Sequence, residues 1–410
     1  MCNWKVAVMN NNQNPHRHFL NKVSLRSKAF YILLAVIACM YSTLTHSQTG
    51  LLNLGELRIH QGGAIGFHTN FINNSPFSEN RGLAGFYGES SVTLSGAFIP
   101  EFHDLEVVTP GGLEIQTSVV INGLLNFILG DIRTPPSLES IHLNFAEAGD
   151  YTGAADTGKV HGISAVQLRM GFRFPVGDQL QLRPLVLNSE YANAVAKCTY
   201  FFADAGKPGP SRIYLPFLKS PLIAGVSKRE FWKLEASVVS TITVDWNRRS
   251  QLEELTMDLN EIILAGWSKA EARWVPLGRE KIYGNIYSGR IQSAPFVPSD
   301  YEAITFASLH MPKGLSAGTN YFLSPNNDGI NDLLQFPELP TESRKMLKIY
   351  DRNGIKVFEK ENYTNEFDGR ASTGKLLINP GGLLPEGVYF YLLSLPDGGL
   401  NYQGFLYLER

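Results

Sequence analysis

From Leu51 to about Tyr151 the chain is cut into short segments with alternating apolar residues. They include Leu57-Arg58-Ile59, Ser91-Val92-Thr93-Leu94, Leu113-Glu114-Ile115 and Val119 to Phe127, punctuated by Gly62-Gly63, Gly111-Gly112 and Asn122-Gly123. Alternation at period two lines one face of an extended strand with apolar side chains, and glycine turns the chain tightly. Segments this short hold no core of their own, so they must stack on one another. A loose period of about 20 residues fits the rungs of a small parallel β-solenoid, and an irregular sandwich of Gly-turned hairpins would read much the same. The 38 Gly and 22 Pro in 410 residues favour short strands over long helices. A chain this long exceeds the size at which one core keeps growing, so several domains are expected.

Texture changes near residue 152. Val166 to Phe174 alternates cleanly, and Pro175-Val176-Gly177-Asp178 is expected to turn the chain before Leu180-Gln181-Leu182-Arg183, making a hairpin. Ser240 to Trp246 reads as a β-branched strand, Leu252 to Leu264 has the spacing of a brief amphipathic helix, and Ala265-Gly266-Trp267 and Ala272 to Gly278 resume strand texture. A β-sandwich with one short helix is the economical reading. Trp232, Trp246, Trp267 and Trp274 fall here, either in the core or on a sugar-stacking face.

The N-terminus reads as an export leader. Residues 1–47 carry Lys5, Arg17, Lys22, Arg26 and Lys28 and no acidic residue, and Ala29 to Tyr41 is an almost unbroken apolar run followed by small and polar residues. That is the order of regions in a signal peptide, and the run is shorter than the ~20 residues of a permanent span. Cleavage is expected between Ser47 and Gln48. Val36-Ile37-Ala38-Cys39 also resembles a lipobox, which would make Cys39 a lipidated N-terminus and the protein a lipoprotein. Without the five leader cations 31 basic residues face 38 acidic ones, a net charge of about −7. No Lys/Arg stripe offers the footprint of a nucleic-acid binder. Cys198 would be the single cysteine after cleavage, excluding an intramolecular disulfide.

The last ninety or so residues are the most specific. Asn320-Tyr321-Phe322-Leu323 leads into Ser324-Pro325-Asn326-Asn327-Asp328-Gly329-Ile330-Asn331-Asp332. Lys348 to Glu359 follows, with Asp351-Arg352-Asn353-Gly354 as a tight turn between alternating strands. Then come Tyr363, Phe367-Asp368-Gly369 and Leu384-Pro385-Glu386-Gly387-Val388-Tyr389, and the chain ends on Gly404 to Arg410. In this order and spacing, Ser324, Pro325, Asp328, Gly329, Gly354, Asp368, Gly369, Pro385, Gly387, Tyr389 and Arg410 resemble the gliding motility-associated C-terminal domain, the type B sorting domain of type IX secretion, over residues 321–410. Asn353 and Phe367 stand where that family often carries Trp. The resemblance implies export by the Sec translocon, recognition by the type IX secretion machinery and passage across the outer membrane. The expected organisation is therefore all-β: a leader at 1–47, a solenoid-like or sandwich domain at 48–151, a β-sandwich at 152–317 and an Ig-like β-sandwich sorting domain at 318–410.

Asn326, Asp328, Asn331 and Asp332 offer hard oxygen donors around the curvature at Gly329, which could suit Ca²⁺, though an Asx-rich turn solvated by water is the simpler reading. An EF-hand does not fit, because the twelfth position from Asn326 is Pro337. The histidines His60, His68, His103, His142, His161 and His310 are dispersed, and the chain has no His-Glu-x-x-His pair, nucleophile elbow, P-loop or dinucleotide fingerprint. A β-solenoid polysaccharide lyase or glycosidase could draw an acid pair from Asp104, Glu106, Glu147 and Asp150, which are read more simply as surface charge. Two function classes follow. One is a non-enzymatic, adhesin-like surface or secreted protein in adhesion, gliding motility or the extracellular matrix. The other is a secreted carbohydrate-active protein that degrades or binds polysaccharide.

Overall fold

The computed structural model describes residues 50–135, 139–209, 212–310, 318–336, 344–372, 382–396 and 400–410. The leader, with Cys39, Ser47 and Gln48, lies outside them. The regular structure of the described chain is strand, broken only by short 3-10 turns, and its first part is a three-sided parallel β-solenoid. One sheet carries Leu51–Asn53, Phe71–Asn73, Val92–Ser95, Leu113–Ile115, Ile132–Arg133 and Val160–His161 in order. A second carries Ala64–Phe67, Leu83–Tyr87, Asp104–Val108, Leu124–Leu129 and Asp150–Thr152. A third side runs from Glu101–Phe102 through Val119–Ile121 and Leu143–Phe145 into Ser164–Phe174. Register measures the coil: Leu51 pairs with Phe71, Phe71 with Leu94, Val92 with Leu113, Leu113 with Ile132 and Ile132 with Val160. The steps are thus 20, 23, 21, 19 and 28 residues, and the solenoid reading of the loose repeat holds over the sandwich.

The first rungs send inward phenylalanines into one aromatic cluster. Phe67 lies 4.6 Å from Phe71 and 4.9 Å from Phe86, and Phe77 bridges Phe71 and Phe102 at 5.5 and 5.3 Å. All five are buried, each worth about 1.5–3 kcal/mol on transfer from water. At the corners asparagines replace ladder hydrogen bonds: Asn53 Nδ2 donates to Asn73 Oδ1 (2.8 Å) and Asn73 Nδ2 to the Phe98 carbonyl (3.1 Å). Asn80 likewise accepts from the Ile59 N–H at 2.7 Å. Leu57 to Ile59, expected as a strand, forms no ladder, and the Ile59 N–H is taken up by that Asn80 oxygen.

The third side does not end with the solenoid. Ser164–Phe174 pairs antiparallel with the long strand Leu185–Phe201, and that strand splits between two neighbours. Leu185 to Ser189 pair with Ser240–Trp246, while Lys197 to Phe201 pair with Phe231–Glu235. One arm continues through Ser288–Gln292 to Lys281–Asn285, the other through Tyr301–Leu309 and Ile262–Ser268 to Arg273–Pro276. The arms close on each other as a sandwich, with the Phe306 ring between Trp232 (5.7 Å) and Trp246 (6.1 Å). All four tryptophans named above are buried, so they are core and not a sugar-stacking face.

Two local expectations need correction. Leu252 to Leu264 is not a helix: 3-10 turns at Leu252–Glu254 and Leu259–Glu261 lead into the strand Ile262–Ser268. Asp258 caps the second turn through the Asn260 N–H, and every residue of the strand is buried between two layers, so tertiary packing overrides the helical spacing. The hairpin turn sits later than Pro175 to Asp178. Asp178 N–H bonds to the Gln181 carbonyl (3.1 Å), and the returning strand is Leu185–Phe201, which leaves Leu180 exposed at the tip.

Burial also sets a pH limit. Tyr151, enclosed by Phe127, Phe145 and Phe172, and Tyr214, packed on Trp267 and Trp274, are each pushed up to about 12 by loss of solvent around the phenol. The folded state therefore holds these protons more tightly than the unfolded chain, whose phenols titrate near 10. Their stabilisation is complete below about pH 10 and is lost as pH rises through about 12. Denaturation midpoints should stay level from about pH 8 to 9.5 and fall steeply between about 10 and 12, in step with tyrosinate absorbance. A level midpoint at pH 12 would contradict this assignment.

Candidate functional site

The C-terminal strands form one sheet in the order Tyr321–Leu323, Leu400–Leu408, Gly387–Leu395, Met346–Tyr350 and Lys356–Glu361. Its inner face carries Leu323, Leu347, Ile349, Tyr391, Leu393, Leu406 and Leu408 against a second layer of loop residues, Leu334, Phe336, Tyr363, Phe367 and Leu384, an arrangement that fits a β-sandwich. Tyr363 centres that layer: its hydroxyl donates to the Leu334 carbonyl and accepts from the Phe367 N–H. Burial pushes the phenol well above its usual range, so it stays a donor. Phe367, where the family often has Trp, is buried edge-on to Phe358 at 4.7 Å, and Asn353 is exposed in a turn.

The motif residues, far apart in sequence, converge. Gly369 has φ 80°, and a β-carbon there would lie 3.1 Å from Leu408 Cδ1 and 3.4 Å from Pro325 Cγ, so only glycine sits without strain. Its carbonyl accepts from the Leu384 N–H at 2.9 Å and from Arg410 Nη2 at 3.5 Å. The Ser324-Pro325, Asp368-Gly369, Leu384-Pro385 and Arg410 motifs thus meet around one peptide. Asp368 folds over the Arg370 N–H and guanidinium, and the Tyr389 hydroxyl donates to the Pro385 carbonyl at 2.7 Å, fixing the entry of the strand that Gly387 opens. Asp351-Arg352-Asn353-Gly354 forms the expected tight turn. Asp351 Oδ1 accepts from the Asn353 and Ile355 N–H groups, with Gly354 at φ 77°.

In the loop from Asn326 to Asp332 the proposed oxygen donors face the loop itself. Both Asp332 oxygens accept backbone N–H bonds, from Asn327 (2.6 Å) and Gly329 (2.7 Å). Asp328 accepts from the Ile330 N–H (2.8 Å) and from Asn326 Nδ2 (2.9 Å), and these bonds hold its carboxyl below the usual range. Asn326 Oδ1 accepts from the Asp328 N–H, and Asn331 takes a left-handed backbone with φ 55°. The donor set is arranged as an Asx-rich turn, and a cation would have to compete with these bonds.

On the solenoid the structure gathers part of the carboxylate set. Glu106 shares the outer face of the second sheet with Asp104, and Asp150 lies two rungs on, opposite Leu124. Glu147 sits in a loop beside them, pinned through its carbonyl by Arg169, whose guanidinium also approaches Asp150 at 3.9 Å. Asp104 Oδ1 accepts from the Leu124 N–H and lies 3.2 Å from His103 Nδ1. Glu106 accepts from the Tyr87 hydroxyl at 3.0 Å. His60 and His103 line one open depression with Arg58 and Arg81. His142 and His161 lie elsewhere, and burial lowers the pKa of each. Among the described residues no group of three or more His, Cys, Asp or Glu is placed to hold a metal.

One feature of this face escaped the sequence. The Tyr87 ring folds back over Gly85 and beside Gly66, and His68 stacks on it with ring centres 5.4 Å apart. The only trace in the sequence is a glycine two residues before each ring, which frees the surface the ring covers. No curated protein and no solved structure matches this chain. Residues 317–408 match the family model described as the CHU_C Type IX secretion signal domain.

Proposed function

We propose that this chain is a non-enzymatic protein, delivered by type IX secretion to the cell surface or the medium, whose solenoid and sandwich act in adhesion, gliding motility or the extracellular matrix. The family match over residues 317–408 carries the export half. The convergence of the motif residues around Gly369 supports it, because it gives those residues a common folding role. The long ladder of the solenoid supports the binding half, since stacked rungs offer an extended outer surface. In a host with type IX secretion, deleting residues 318–410 should abolish delivery and leave the protein inside the envelope. Unchanged delivery on fractionation would overturn the export reading.

The second reading, a polysaccharide-binding or polysaccharide-degrading protein, is favoured by the Tyr87 and His68 rings lying on glycine next to Asp104 and Glu106. Flat aromatic surfaces beside polar groups suit sugar rings. Incubating the secreted protein with a panel of polysaccharides tests it: released oligosaccharide supports an enzyme, stoichiometric binding without turnover supports a binding protein, and the absence of both would overturn this second reading.

A further inference from the structure

The C-terminal sheet has an inner face that packs the core and an outer face that nothing in the described chain covers. Phe322, Val388, Phe390, Phe405 and Tyr407 lie on that outer face, each 42–48% exposed. They are neighbours by register: Phe322 and Val388 flank Tyr407, and Phe390 is opposite Phe405. The rings pair, with Phe322 stacked on Tyr407 at 5.9 Å and Phe390 tilted against Phe405 at 5.2 Å. Five of the eight exposed large apolar side chains described in this domain are therefore on one patch. Its border is polar, at the strand where Lys348 pairs with Glu359 (3.5 Å).

A cluster of exposed aromatics with a charged border on one side is the composition of an interface core and not of an ordinary solvated sheet. Its area limits the occupant. Aromatic side chains present roughly 150–250 Å² each, so half-exposed rings here offer roughly 400 Å². A stable dimer needs about 800 Å² a side, which leaves a second copy of this chain poorly served. A receptor that must bind the domain and then release it needs a contact at the small end of the range.

We propose that this aromatic face is the surface by which the type IX secretion machinery reads the domain, through a receptor that presents a complementary apolar surface. The proposal rests on the export reading above and goes beyond it, because the motif residues around Gly369 then build the domain while the outer face is what is recognised. Threonine keeps strand propensity and removes the rings, so the test is the full chain carrying Phe322→Thr, Phe390→Thr, Phe405→Thr and Tyr407→Thr together, expressed in a secreting host. Delivery should fall at least tenfold with folded protein retained in the envelope, while deletion of residues 318–410 blocks it completely. If the deletion blocks delivery and the folded fourfold variant is delivered normally, the face is not the recognition surface and the export reading stands. If neither change alters delivery, the export reading itself fails.

A second measurement covers a variant that does not fold. A photocrosslinking residue placed at Phe390 or Phe405 should form an adduct with an outer-membrane component whose loss stops secretion, and one at the exposed Lys360 should not. Adducts only with a second copy of the chain, or equal adducts from both sites, would overturn the proposal.

Discussion

Alanine in place of Gly130 should destabilise the solenoid by more than about 4 kcal/mol, a loss of the size reserved for a broken core or backbone. Gly130 sits at the corner between the strands Leu124–Leu129 and Ile132–Arg133, with φ 106°, where an L side chain is strained. The backbone clash is the greater part. A β-carbon there would lie 1.8 Å from the Thr109 carbonyl oxygen of the rung below, and that oxygen already accepts from the Gly112 N–H. Thr109 is held in turn by its hydroxyl bond to the Ser90 carbonyl, so neither partner can yield without opening the ladder. Gly88 is the natural control: a β-carbon there meets nothing closer than 3.8 Å, and Gly88→Ala should be neutral or gain a few tenths of a kcal/mol. Because each rung touches only its neighbours, hydrogen exchange should show protection lost first in the rungs flanking residue 130. Similar denaturation midpoints for the two variants would refute the corner geometry.

What could be read from the sequence was whatever is local. Asp351 to Gly354 names its own turn, and Gly111-Gly112 and Asn122-Gly123 mark corners because only small or turn-forming residues fit there. The solenoid was legible as a period, but its three-sidedness was not, since that depends on which short strand finds which neighbour some 20 residues away. The errors arose where long-range packing decides. Leu252, Leu255, Leu259 and Ile262 have helical spacing, yet they anchor two 3-10 turns and open a strand that Tyr301–Leu309 recruits. In the C-terminal domain the motif was recognisable residue by residue, while its meeting point at Gly369 and the aromatic outer face required the register. The latter is visible in hindsight as the alternation of Val388, Phe390 and Leu392 with Tyr389, Tyr391 and Leu393: two apolar sets, of which a single-sided sheet needs one.

The sandwich contains the other large vulnerability, and alanine at Glu230 should cost about 3–5 kcal/mol. Arg183 and Glu230 are 4% and 1% exposed and joined by two guanidinium nitrogens, Nε to Oε2 at 3.0 Å and Nη2 to Oε1 and Oε2 at 2.7 Å. Tyr200 donates to Glu230 Oε2 at 2.7 Å, Arg183 Nη2 donates to Ser250 Oγ at 2.9 Å, and the Arg183 carbonyl accepts from Trp232 Nε1 at 3.1 Å. Burial, reinforced by the nearby carboxylate, holds the Tyr200 phenol protonated far above its ordinary range, so it remains a donor. Removing Glu230 alone would leave a guanidinium in the core with no counter-charge and a phenol without its acceptor, and the desolvation cost already met on folding would be uncompensated. The pair as a whole is a different matter. Two buried charges attract strongly but lose their hydration, and replacing both by apolar residues of similar volume is often neutral. Arg183→Met with Glu230→Leu should therefore recover most of what Glu230→Ala loses, leaving mainly the cost of the Tyr200 hydroxyl without its acceptor, since Ser250 Oγ still accepts from the Asn247 N–H. Denaturation of Arg183→Met alone, Glu230→Leu alone and the double variant measures the coupling directly. A single-variant loss below about 1 kcal/mol would mean that water reaches Arg183, contrary to its burial between the two arms of the sandwich.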